Sequence, residues 1–98
     1  MFVALWEFEV KPGDEERFER VYGPNGAWVD LFRRGQGFVE TRLLREVSRE
    51  RVYVTEDVWE TQAAYEAFRA EFAQEYARMD GEFEGMTVSE KKIGEFEG

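Results

Sequence analysis

Cysteine and histidine are both absent from the 98 residues. Without cysteine there is no disulfide framework and no thiol nucleophile. Without histidine the chain loses the side chain most used for proton transfer near neutral pH, and the commonest metal ligand. A zinc or iron site would have to rest on carboxylates alone, so neither a metal nor a cofactor is expected. No Ser-His or Cys-His pair can form, and no GxxxxGK or GxGxxG segment occurs to cradle phosphates. Positive charge is scarce: 13 Lys and Arg stand against 22 Asp and Glu, a net charge of −9. Only Arg33-Arg34 and Lys91-Lys92 are side by side, which argues against nucleic acid and anionic membrane surfaces as partners. No apolar run reaches the length of a membrane-crossing helix. The N-terminal MFVALWEFEV has neither a basic start nor a small-residue cleavage site. A cytoplasmic chain is the expectation.

Aromatic rings are plentiful, with nine Phe, four Tyr and three Trp. The length suits a single domain over residues 1–98. Phe2 to Val10 alternates as a strand, with Phe2, Ala4, Trp6, Phe8 and Val10 on one face and Val3 and Leu5 on the other. Apolar residues on both sides imply cover on both sides. Pro12-Gly13 punctuates, Asp14 is placed to cap, and a helix brings Phe18, Val21 and Tyr22 inward before breaking at GPNG. A second helix over 27–34 presents Trp28, Leu31 and Phe32, and Gly35 or Gly37 supplies a left-handed exit. Strands at 38–47 and 51–59 flank a polar turn and form an antiparallel hairpin. Thr61 caps one long helix running to about Arg78. Gly81 and Gly85 mark a loop, 86–93 is a fourth strand, and GEFEG at the end is expected to be loose. The order is βαββαβ: an α+β, ferredoxin-like arrangement with a four-stranded antiparallel sheet. Helices cover one face. The other exposes Val and Leu unless a second copy packs on it, so a homodimer is expected.

Three segments in this order carry a resemblance: WEFEVKPGDEERFERVYG, LFRRGQGFVETRLLRE and YVTEDVWETQAAYEAFRAEF. With Lys11-Pro12-Gly13, Gly37-Phe38, Trp59 and Tyr65-Glu66-Ala67-Phe68 at their positions, the chain resembles the antibiotic-biosynthesis monooxygenase family of the dimeric α+β barrel superfamily. That resemblance implies a dimer whose subunits each hold a pocket between helices and sheet. Members include oxygenases that act on aromatic polyketides without metal or flavin, haem-degrading enzymes and isomerases. The haem-degrading pattern needs a His and a first-strand Asn. This chain has neither; its only Asn is Asn25.

Within that frame Trp59 matches the family's strand-three Trp and becomes a candidate to stack on a substrate ring, with Tyr65 or Tyr53 donating a hydrogen bond. Trp28, Asn25, Phe68 and Phe72 are candidate pocket residues. Tyr65, Phe68, Phe72 and Tyr76 form a stripe at helical spacing, which suits either a packed core or a pocket wall. Glu40, Arg42, Glu56 and Asp57 are strand residues placed to face a pocket. Alternation groups Asp57 with Tyr53 and Trp59, and a carboxylate held among rings acts as a base near neutral pH. A cross-strand salt bridge in water is the plainer use of such charges. The expected function is cofactor-independent oxidation of a small aromatic or polyketide-like molecule. The alternatives are a non-catalytic dimer binding a small hydrophobic ligand, and an isomerase with a carboxylate base.

Overall fold

A computed structural model describes all residues, Met1–Gly98. Strand β1 (Phe2–Val10) is followed by helices α1 (Glu15–Tyr22) and α2 (Ala27–Phe32), then strands β2 (Phe38–Arg45) and β3 (Val52–Trp59). Helices α3 (Gln62–Glu71) and α4 (Ala73–Phe83) and a single 3-10 turn lead to β4 (Thr87–Glu97). The sheet is antiparallel in the order β2-β3-β1-β4. The α+β ferredoxin-like expectation is met.

Local chemistry accounts for most boundaries. Thr61 Oγ1 accepts the Ala64 N–H at 3.1 Å and starts α3. Asp14 makes no side-chain cap; the turn is closed instead by Glu15 Oε1, which accepts the Gly13 N–H at 2.7 Å. The left-handed exit before β2 is Gly37, at φ 94°; a Cβ there would also come within 2.7 Å of Ala64 Cβ. Gly35 is needed for closeness alone, since a Cβ would sit 2.7 Å from the Phe68 ring and 3.2 Å from that of Trp59.

Two expectations need correction. The long helix is two, broken at Phe72 (φ −106°, ψ 26°), and α4 runs through Gly81, which is not in a loop. A buried Phe72 followed by a fresh helical turn lets Phe68 and Met79 both reach the core. The C-terminal residues are not loose either: Gly94, Glu95, Phe96 and Glu97 pair with Leu5, Ala4, Val3 and Phe2. β-bulges near Ile93 and Ser89 absorb the mismatch in register that disguises this strand's alternation.

The core lies between the helices and one face of the sheet, and rings dominate it. Phe18 stacks on Tyr22 with centroids 4.3 Å apart, and Phe32 meets Phe68 edge-on at 5.4 Å. The opposite face is half apolar. Val3, Leu5, Val54, Val58, Leu44 and Phe96 share it with Glu7, Glu40, Arg42 and Glu56, and Arg42 and Glu56 form an ion pair there at 3.7 Å. No helix is long and apolar enough to cross a membrane.

Candidate active site

A cavity of about 110 Å³ opens between the sheet and the helices. Its floor is made by Trp6 and Phe8 of β1, Thr41 of β2, Thr55 and Asp57 of β3, and Glu90 of β4. Its roof is Tyr22, Trp28, Phe32, Arg69, Tyr76 and Asp80. Alternation sets the floor: Thr41 lies opposite Asp57, Thr55 opposite Trp6, and Phe8 opposite Glu90, all on the helix-covered face.

Asp57 is the unusual group. It is 7% exposed, and Thr41 Oγ1 donates to its Oδ1 at 2.8 Å. No other side chain or backbone N–H reaches it, and no ion pair includes it. Burial raises its pKa to about 6 against the opposing pull of the Thr41 hydrogen bond. The carboxylate is therefore ionised at pH 7 and basic enough to take a proton.

The phenols around it stay protonated. Burial pushes Tyr22 up to about 12 and raises Tyr76 further. The Trp28 indole N–H approaches the Tyr22 hydroxyl closely enough to offset part of that rise, but not in hydrogen-bond geometry, so Trp28 Nε1 is buried without a partner. Arg69 is the one cation of the lining. Its Nη1 donates to the Tyr65 hydroxyl at 2.8 Å, and its guanidinium lies 4.0 Å from the centre of the Tyr76 ring. At the rim Glu90 is exposed by area. Even so, partial burial raises its pKa, helped by the charges of Asp80 and Glu84.

Of the seven candidates read from sequence, Trp28 lines this cavity. Trp59 is fully buried outside it, against Phe32, Phe38, Tyr65 and Phe68. Tyr65 touches the site through Arg69, and Lys92 Nζ also donates to its hydroxyl at 3.4 Å. Tyr53 donates to Glu19 Oε2 at 2.6 Å, away from the cavity. Phe68 and Phe72 are core rings, and Asn25 is exposed in the α1–α2 turn. Among the strand charges, Glu40, Arg42 and Glu56 lie on the bare face and Asp57 faces the cavity.

Arg69, Asp80 and Glu90 were not anticipated. Arg69 carried a legible signal, because it stands four residues after Tyr65 and seven before Tyr76 on the aromatic stripe.

The model of the antibiotic biosynthesis monooxygenase family matches residues 1–78. No curated protein matches by sequence. Among solved structures, an alanine variant of SnoaB, a cofactor-independent oxygenase from Streptomyces nogalater, superposes with a TM-score of 0.78 at 24% identity, over 99% of this chain and 91% of that one. A candidate antibiotic biosynthesis monooxygenase from Bordetella bronchiseptica gives 0.69 at 25% identity, over 99% and 95%. One from Nitrosomonas europaea gives 0.70 at 18%, over 100% and 98%.

Proposed function

The chain belongs to the antibiotic biosynthesis monooxygenase family, and from that premise we propose that its cavity is an active site that oxidises a small aromatic or polyketide-like substrate with molecular oxygen and no cofactor. The observation that carries this reading is Asp57, a buried carboxylate on the cavity floor with one oxygen unclaimed. The SnoaB likeness supports the reaction class.

In the proposed reaction Asp57 removes a proton from an activated CH₂ or phenol of the substrate. The anion passes one electron to O₂, and the resulting pair combines to a peroxide. Loss of water then converts CH₂ to C=O, so one oxygen atom enters the product and the other leaves as water. The four electrons given up by the carbon equal the four taken by O₂, and no external reductant is required. Arg69, with N–H groups beyond the one given to Tyr65, stabilises the anion, and the neutral Tyr22 and Tyr76 hydroxyls are available as donors. Rings of Trp6, Phe8, Tyr22, Trp28 and Phe32 line the walls and lower the polarity around the anion.

Oxygen uptake with a panel of one-ring hydroquinones and aminophenols, in chelator, tests this: uptake above the uncatalysed rate is expected, and its absence across the panel contradicts the proposal. Asp57 would serve a carboxylate-base isomerase equally well. That reading requires solvent hydrogen exchange into substrate without oxygen uptake, whereas a non-catalytic binder shows neither.

The bare sheet face supports a homodimer packed sheet to sheet. Leu44 is 40% exposed in the single chain, so Leu44→Lys changes little in a monomer. In the proposed dimer it buries an unpaired charge and splits the pair. Sedimentation at micromolar concentration is expected to give a dimer for the parent and a monomer for the variant. A monomeric parent refutes the assembly.

A further inference from the structure

The lining of the cavity is unbalanced in charge. Asp57, Asp80 and Glu90 face a single cation, Arg69. None of the three carboxylates takes part in an ion pair. Arg69 is already engaged by the Tyr65 hydroxyl and the Tyr76 ring. The carboxylates also occupy distinct places. Asp57 lies opposite Ala4, deep in the sheet, and Glu90 opposite Phe8, four residues further along β1. Asp80 joins Glu90 at the rim from α4, and their charges act on one another. On β1, Trp6 lies between the levels of the deep carboxylate and the rim, and the faces of aromatic rings attract cations. The protein's own cations use the same walls: besides Arg69 on Tyr76, Lys92 Nζ lies 5.4 Å from the Trp6 ring centre.

Size narrows the occupant further. A dry cavity of about 150 Å³ takes benzene. At about 110 Å³ this one is smaller but open at the rim, so it has room for no more than a single ring with a substituent reaching outward. A fused polycycle would not enter without displacing the roof.

We propose that the cavity selects a one-ring aromatic cation, with its ring between Trp6, Tyr22 and Trp28, its phenol or activated carbon at Asp57, and its protonated amine at Asp80 and Glu90. This rests on the reading of Asp57 as the base and adds the substrate class. The acidic rim concentrates such a molecule and repels carboxylate-bearing analogues. Trp28 supplies an observation independent of the carboxylates: it lines the same cavity, is more than nine-tenths buried, and its indole N–H has no hydrogen-bond partner, as a donor awaiting the oxygen of a bound phenol would.

The test compares three phenols of one ring size that differ in charge: tyramine, para-ethylphenol and para-hydroxyphenylacetate. Binding is read by calorimetry and by the fluorescence of the tryptophans in the wall. Tyramine is expected to bind about tenfold tighter than para-ethylphenol at low salt, with the carboxylate weakest, and the gap should narrow as salt rises. In an Asp80→Asn, Glu90→Gln double variant, folded by circular dichroism, tyramine should fall to the affinity of the neutral phenol. Equal binding of tyramine and para-ethylphenol, tightest binding of the carboxylate, no binding of any of the three, or a preference that survives the double substitution would each overturn the proposal. Failure here is separable from failure of the oxygenase reading: oxygen uptake with no charge preference sinks only the substrate class. A clear charge preference without oxygen uptake sinks only the chemistry.

Discussion

Asp57→Asn should cut oxygen uptake to about 1% of the parent or less, a loss on the order of a hundredfold to ten-thousandfold in kcat for removing a general base, and should make the protein more stable at pH 7. Both effects have one cause. Asp57 ionises in the unfolded chain near 3.8 but in the folded chain only at about 6. Below about pH 4 both states hold the proton and the residue costs nothing. As the pH rises from about 4 to 6, the unfolded state gains from ionisation that the folded state resists, so stability falls. The full cost above that window is about 3 kcal/mol. Asparagine still accepts the Thr41 hydroxyl and never ionises. Denaturant unfolding at pH 8 should therefore favour the variant by up to that amount, and the two proteins should converge at pH 4. The parent's activity should rise with pH through about 6 as the base form appears. A variant that is less stable at pH 8, or one that keeps its activity, contradicts the role given to Asp57.

Trp59→Ala should be the most damaging single change to the fold. Trp59 ends β3, pairs with Phe2 on one side and Phe38 on the other, and is wholly buried beneath α2 and α3. Phe32, Phe38, Tyr65 and Phe68 all rest on its indole. Its removal leaves a cavity that rigid rings cannot collapse to fill, at a cost of about 3–5 kcal/mol. Against a total of roughly 5–15 kcal/mol for a small domain, that removes a large share of the stability, and Tm should drop by about 15 °C or more. Trp59→Phe keeps a ring and separates two roles. If Trp59 serves the core, activity per folded molecule persists; if it stacks on the substrate, KM and kcat change while the fold holds. An alanine variant that melts within a few degrees of the parent refutes the packing role.

The architecture was legible because its signals are local and repeated. Alternation from Phe2 to Val10, the Pro12-Gly13 turn, the Thr61 cap and the valine-rich hairpin each name an element without help from the rest. The break at Phe72 carries no proline or glycine, and only the need to bring Phe68 and Met79 to one core reveals it. β4 was read short because bulges interrupt its period and because Glu95 and Glu97 look like a solvated tail. At the site, alternation placed Asp57 beside Tyr53 and Trp59. Choosing it over Glu56 requires knowing which face the helices cover, and that is a tertiary fact. Asp80 and Glu90 were hidden in stretches rich in acid, where one carboxylate looks like the next until the fold gathers two of them at an opening.

The proposed chemistry depends on a buried carboxylate at the floor of the cavity, and the most direct measurement is an NMR titration of the Asp57 carboxyl carbon in the intact protein. The predicted result is a midpoint near pH 6 in the parent and a higher one in Thr41→Val, because the hydrogen bond from Thr41 holds the pKa down and its loss releases it upward. A parent midpoint near 4 would mean that water reaches Asp57 freely, and the base, the cavity and the chemistry built on them would all be contradicted.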